Sequence, residues 1–94
     1  MTKEERLALA QKLMQEEEKG ITDTVRALGN AVLGEVLRLE TAGENDEAKA
    51  FEAFLPIDEE FLTSLLPLLG QEEYEKTLAL YKAEKTKQRL AYLG

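Results

Sequence analysis

Two acidic runs and one basic stripe are where this sequence gathers groups that could do chemistry. "DEE" at 58–60 and "QEEYE" at 71–75 place carboxylates side by side. Such groups could hold a hard cation such as Ca²⁺ or Mg²⁺. A pair could also act as general acid and base, if a pocket set their pKa values apart. Neither run has the spaced D-x-D-x-D-G pattern with a distal Glu that a calcium loop needs. The simpler expectation is that both lie at helix N-termini, where acids complement the macrodipole. Toward the end of the chain, Lys82, Lys85 and Arg89 recur at intervals of 3 and 4, with Tyr81 and Tyr92 flanking them. That set could touch RNA, an acidic membrane face or an acidic protein, with the rings as stacking surfaces. The same spacing describes a solvated stripe on a helix packed by its other side, and that is the expectation taken forward.

Most catalytic templates fail by absence, because the chain has no His, Cys or Trp. Without His or Cys there is no Ser-His-Asp or Cys-His nucleophile system, no ordinary zinc site and no Glu-x-x-His di-iron site. No G-x-x-x-x-G-K-[ST] or G-x-G-x-x-G occurs to cradle phosphate. No catalytic, cofactor-binding or metal-binding residue is assigned, no cofactor is expected, and the chain is not expected to be an enzyme.

What must position these residues is helical. Leu, Ala, Glu and Lys dominate, aromatic residues are 6% of the chain, and no segment alternates with period 2. Ninety-four residues make one domain, 1–94, with a single modest core. The N-terminus lacks the apolar run of a signal peptide, and no stretch is long and apolar enough to span a bilayer. A cytoplasmic protein without membrane contact is expected. The net charge of −7 is uneven: residues 21–75 carry thirteen acids against three bases, and residues 76–94 five bases against one acid. The net charge of −7 argues against broad binding to nucleic acid backbone, and the chain reads as an acidic body with a basic last helix.

Five helices follow from the pattern. Thr2 and Glu5 have capping-box spacing, Leu7, Ala10, Leu13 and Met14 recur at helical intervals, and Gly20 ends the first helix. Thr22 or Asp23 should cap the second, whose stripe of Val25, Leu28, Val32, Val36 and Leu39 is the clearest in the chain. Gly29 and Gly34 inside it suggest close approach by another segment, and Gly43 should close it. Asn45 should cap a third helix with Ala48, Phe51, Phe54 and Leu55 on one face, stopped by Pro56. Asp58 should cap a fourth, bearing Phe61, Leu62, Leu65 and Leu66. It should kink or end near Leu66, because Pro67 cannot donate to the Thr63 carbonyl. The fifth runs from about Glu72 to Tyr92 with Tyr74, Leu78 and Tyr81 inward. The fold class is all-α: a small bundle of about five helices, built as two antiparallel hairpins (second with third, fourth with fifth) plus the N-terminal helix.

Two local likenesses stand beside this. "AGENDEAKAFEAF" (42–54) and "LGQEEYEKTLALY" (69–81) align without a gap at an offset of 27. "GQEEYEKTLALYKA" resembles the turn and second helix of a tetratricopeptide repeat, and "LGN" at 28–30 its first helix. The family's period is 34, and no complete copy is present. "EEKGITDTVRALGNAV" resembles the first helical hairpin of the YqeY family, relatives of the tRNA-amidotransferase tail domain, whose long middle is missing here.

The greasiest stretch is "LTSLLPLLG" (62–70). Its "LTSLL" matches the L-x-x-L-L docking motif of transcriptional coactivators, but it is also one face of any leucine-rich helix, and so small a domain needs core. The second helix is apolar over more than half its circumference and the fourth nearly all round. A lone monomer therefore has more apolar face than it can hide. The expectation is an acidic helical interaction module, an adaptor or inhibitor. It would bind a protein partner, of basic character, or a second copy of itself. The residues expected to carry that contact are Leu62, Leu65, Leu66, Leu69, Leu90, Tyr92 and Leu93. The competing expectation is nucleic-acid binding through the basic last helix.

Overall fold

A computed structural model describes residues 1–57 and 59–94, and among these the ordered secondary structure is entirely helical. The elements are α1 (Lys3–Lys19), α2 (Thr22–Thr41), α3 (Asn45–Glu52), α4 (Glu59–Ser64), α5 (Leu66–Leu69) and α6 (Gln71–Leu93). The fourth helix of the sequence is thus two pieces, with Leu65 in a turn between them. Pro67 is the reason: it sits in the first turn of α5, where a missing N–H costs nothing. The cap expected at Asp58 lies outside the described residues.

The helix ends follow local chemistry. The Thr2 hydroxyl accepts from the Glu5 N–H, and the Glu5 carboxylate accepts from the Thr2 N–H, each at 3.2 Å. Gly20 (φ 72°) and Gly43 (φ 82°) take left-handed backbone just past α1 and α2. Around them Ile21 N–H reaches the Glu16 carbonyl and Glu44 N–H the Leu39 carbonyl, the long bond of a Schellman closure. Two expected caps are displaced by one residue. Ile21 precedes α2 and Glu44 precedes α3, neither with a side-chain cap, so Thr22, Asp23 and Asn45 lie inside the first turns.

The core is built by α1, α2, α3 and the turn after α3. Ala10, Leu13, Val32, Val36, Leu39, Ala48, Phe51 and Phe54 form one buried cluster. From the far end of the chain, Tyr92 and Leu93 pack against it. Tyr92 lies 5.7 Å from the Phe51 ring and edge-on to Phe54 at 5.2 Å. Gly29 lets the linker close over α2: a Cβ there would stand 2.5 Å from Pro56 Cγ. Gly34 meets nothing within 4 Å. The two glycines therefore differ, and only Gly29 serves a close approach inside the molecule.

The expected hairpins are found in part. α2 packs on both α1 and α3, so the N-terminal half is a three-helix unit with α2 at its centre. α6 packs on α3 by its later turns and on α5 by its beginning. Leu62 of α4 lines a cavity of about 120 Å³ with Tyr74 and Leu78 of α6. The result is elongated. Its radius of gyration is 14.2 Å, where a compact chain of this length gives about 12 Å. Its accessible surface is 6470 Å², where a compact monomer of this mass shows about 5,500 Å².

Candidate interaction surface

Two regions hold the side chains singled out by type. The first is a clamp where α1, α2, α3 and the last turns of α6 meet. The second is an arm made of α4, α5 and the first half of α6.

The clamp buries charge. Arg89 is 9% exposed, donating from Nε to the Ala53 carbonyl at 2.9 Å and from Nη2 to that of Leu55 at 3.4 Å. It also pairs with both carboxylate oxygens of Glu17, at 2.8 and 3.2 Å. One side chain of α6 thus ties α1 to the linker behind α3, satisfying carbonyls that have no helical partner. Its guanidinium lies 5.6 Å from the Phe54 ring centre. At the other side of Tyr92, Arg6 donates to Glu47 of α3 at 2.9 Å and to Glu35 of α2 at 3.4 Å. It also reaches the Tyr92 hydroxyl at 3.4 Å. Arg38 closes the set on Glu35 at 2.6 Å.

The ionisation of these groups follows their neighbours. The Arg38 hydrogen bonds hold the Glu35 carboxyl below its usual range, outweighing the cost of its burial. Burial works against the charge on Arg6, but bonds to Tyr92 and Glu47 more than offset it and raise its pKa. Lys85 is 8% exposed. Burial, reinforced by the nearby charge of Arg89, lowers its pKa to about 8. Its ammonium lies 5.6 Å from the Tyr81 ring centre.

These positions correct the sequence expectation for the basic stripe. Lys85 and Arg89 are buried, and only Lys82 of the three is exposed. The inward face of α6 is Tyr74, Leu78, Lys85, Arg89 and Tyr92, so it changes from apolar to cationic along its length. Nothing in the spacing of α6 alone distinguishes the two faces of such a helix. The acid at Glu17 and the carbonyls beside Phe54 do.

The arm exposes leucine. Leu68 of α5 is 81% exposed and Leu80 of α6 is 73% exposed. Leu69 and Tyr81 are also exposed there, and Leu90 is exposed on the last turns of α6. The seven expected contact residues divide. Leu62 is buried in α4, Leu65 and Leu66 are half-buried, and Tyr92 and Leu93 pack on the core. Leu69 and Leu90 face water. The L-x-x-L-L match does not form one helical face, because the helix breaks at Leu65 inside it. Leu68 and Leu80 were outside the expected set. Leu80 lies two residues past Leu78, on the opposite side of the helix, which the spacing of Tyr74 and Leu78 already implies.

Of the acidic run at 58–60, Asp58 and the side chain of Glu59 lie outside the described residues. Among the described residues no three carboxylates gather in a metal-holding group. A larger cavity is lined by Lys49, Ala50, Gln88, Ala91 and Tyr92, and among the described residues neither it nor the one beside Leu62 is lined by a carboxylate. Among the described residues no helix is long and apolar enough to cross a membrane. Comparison with protein families, with curated proteins and with solved structures found no match. The two local likenesses in the sequence therefore carry no family assignment. The internal pair at offset 27 is also not a structural repeat: its first copy holds the 8-residue α3, and its second the start of the 23-residue α6.

Proposed function

We propose that this protein is a small non-enzymatic interaction module that binds another protein chain through the apolar surface of its arm. The single observation that carries this is Leu68, which leaves four-fifths of its surface in water beside exposed Leu69. Burying one leucine is worth roughly 1.5–3 kcal/mol, and the domain's own core makes no use of either side chain. Two adjacent anchors on a short element, with acids at Glu72, Glu73 and Glu75 close by, suit a partner with an apolar pocket and a basic rim. Covering such a surface is how an adaptor or inhibitor of this size would act.

Nucleic-acid binding has less support. Lys85 and Arg89 are turned inward, and Lys76, Lys82 and Lys87 remain scattered among Glu72, Glu73 and Glu84.

The test is site-specific photo-crosslinking in the cell of origin, with a photoreactive residue at position 68 and, as control, at the exposed position 4. A discrete protein adduct from position 68 that is absent from position 4 is expected, weakened by Leu69→Asp. No adduct, or the same adducts from both positions, would overturn the proposal.

A further inference from the structure

The outward face of α6 has an order that the apolar arm does not explain. Leu80 stands near its centre, and the residues sharing its side lie 3, 4 and 7 positions away, as helical rows require. At −4 is Lys76 and at +4 is Glu84; at −7 is Glu73 and at +7 is Lys87. All four are exposed. Charge sign therefore inverts under reflection through Leu80. At ±3 stand Thr77 and Ala83, both small. A helix ordered in this way is complementary to itself when run antiparallel.

We infer that α6 pairs with the α6 of a second copy of this chain about a two-fold axis at Leu80. This rests on the interaction-module proposal and names its partner. In that register Leu80 meets the partner copy's Leu80 between the small side chains of Thr77 and Ala83, which permit the close axial approach of packed helices. Glu73 lies against Lys87 of the other copy and Lys76 against its Glu84, each pair occurring twice by symmetry. The exposed Leu80 is thus covered in the contact. A parallel pairing would set Glu73 against Glu73 and Lys87 against Lys87.

The experiment is sedimentation velocity on the purified full chain over a wide concentration range, with charge reversals. The wild type is expected to show a reversible dimer that weakens with added salt. Glu73→Lys and Lys87→Glu each set like charges across the interface twice. Each should weaken dimerisation about tenfold. The double variant Glu73→Lys/Lys87→Glu restores the pairing and should return to within about threefold of wild type. That recovery cannot arise inside one helix. The double variant keeps both new like-charge neighbours, the lysine introduced at 73 beside Lys76 and the glutamate introduced at 87 beside Glu84, and it has the wild-type net charge. Circular dichroism on each variant checks that the fold is intact. A dimer indifferent to the single reversals, or a double variant weaker than either single, overturns this register. A strict monomer at every concentration overturns the dimer altogether. A discrete adduct of a different protein at position 68 would still uphold the interaction module in that case, so the two failures are distinguishable.

Discussion

At the clamp, Arg6, Glu35, Lys85 and Arg89 are buried, and among the described residues every buried polar side-chain atom has a partner. At the arm, Leu68 and Leu80 stand in water. The two regions share one helix, α6, whose later turns carry charge inward while its outer side presents leucine. The difference teaches what each region is for. Buried ion pairs add little net stability over apolar packing, but they penalise wrong geometry heavily, because a misplaced partner leaves a charge unpaired. The clamp therefore fixes where α6 sits on the three-helix unit. The arm is held out by that fixed helix, and its exposed leucines contribute nothing to the fold's own core cluster.

The largest effect should come from breaking the clamp. Arg89→Met removes the bidentate pair to Glu17 and leaves the Ala53 and Leu55 carbonyls without their donor. Removing one partner of a buried pair costs about 3–5 kcal/mol. Glu17 is partly exposed and can rehydrate, so the lower end is expected, read as a fall in the urea midpoint at unchanged slope. A loss below about 1 kcal/mol would mean that α6 is held by Tyr92 and Leu93 alone and that the clamp is incidental.

Next comes the joint between the two regions, where Pro56 crosses α2 at Gly29. Gly29→Ala puts a methyl into the proline ring, whose nearest atoms would be 2.5 and 2.7 Å away. Overpacking of this kind costs about 1–3 kcal/mol, against which alanine's better helix propensity returns about 1. The net expectation is a moderate loss of stability. Gly34→Ala in the same helix meets open space and should gain about 0.5–1 kcal/mol. Thermal melts of the two variants side by side separate a glycine that serves packing from one that does not. Equal shifts would remove Gly29 from the joint.

Most helix ends were legible in the sequence because they are local; the starts of α2 and α3 lie ahead of the expected caps. Thr2 with Glu5, Gly20, Gly43 and Pro67 each act over a few residues, and each acts as its type dictates. The core face of α2 was legible for the same reason, since one helix with one apolar stripe has one way to turn. The orientation of α6 was not. Its inward cations are explained only by Glu17, 72 positions earlier, and by carbonyls beyond the end of α3. Of the candidate contact residues, Leu69 and Leu90 were found exposed, but Tyr92 and Leu93 had looked equally free. Whether a leucine near a chain end docks or protrudes depends on aromatic rings contributed by α3 and the turn after it.

Lys85 tests the clamp by titration. Its pKa is lowered to about 8 in the fold from an ordinary 10.5. Between those values the unfolded chain binds a proton that the folded chain has released. Stability contributed by this group therefore rises as pH goes from about 8 to about 10.5, and is at its lowest where both states are protonated. Lys85→Met removes the charge and keeps the stem. It should be more stable than wild type at about pH 7, on the order of 1 kcal/mol, with the gap closing toward about pH 10. The check is urea unfolding of both proteins across that range. A variant less stable near neutral pH would mean that Glu17, Glu52 and the Tyr81 ring hold the ammonium more strongly than burial penalises it.

The smallest effect should fall on the greasiest residue. Leu68→Gln replaces a large apolar side chain with a polar one of similar reach. In a core that change is ruinous, because a leucine's burial is lost and an amide is left without partners. At 81% exposure there is almost no burial to lose. Position 68 also sits where the helical segment is only four residues long, so propensity hardly enters. The expected change in monomer stability is within about 0.5 kcal/mol, measured by urea unfolding at the lowest usable concentration. A loss above about 1.5 kcal/mol in the dilute monomer would place Leu68 among the residues that hold the fold together. The contrast between a charge-filled clamp and a leucine-bearing arm would then fail at its most exposed point.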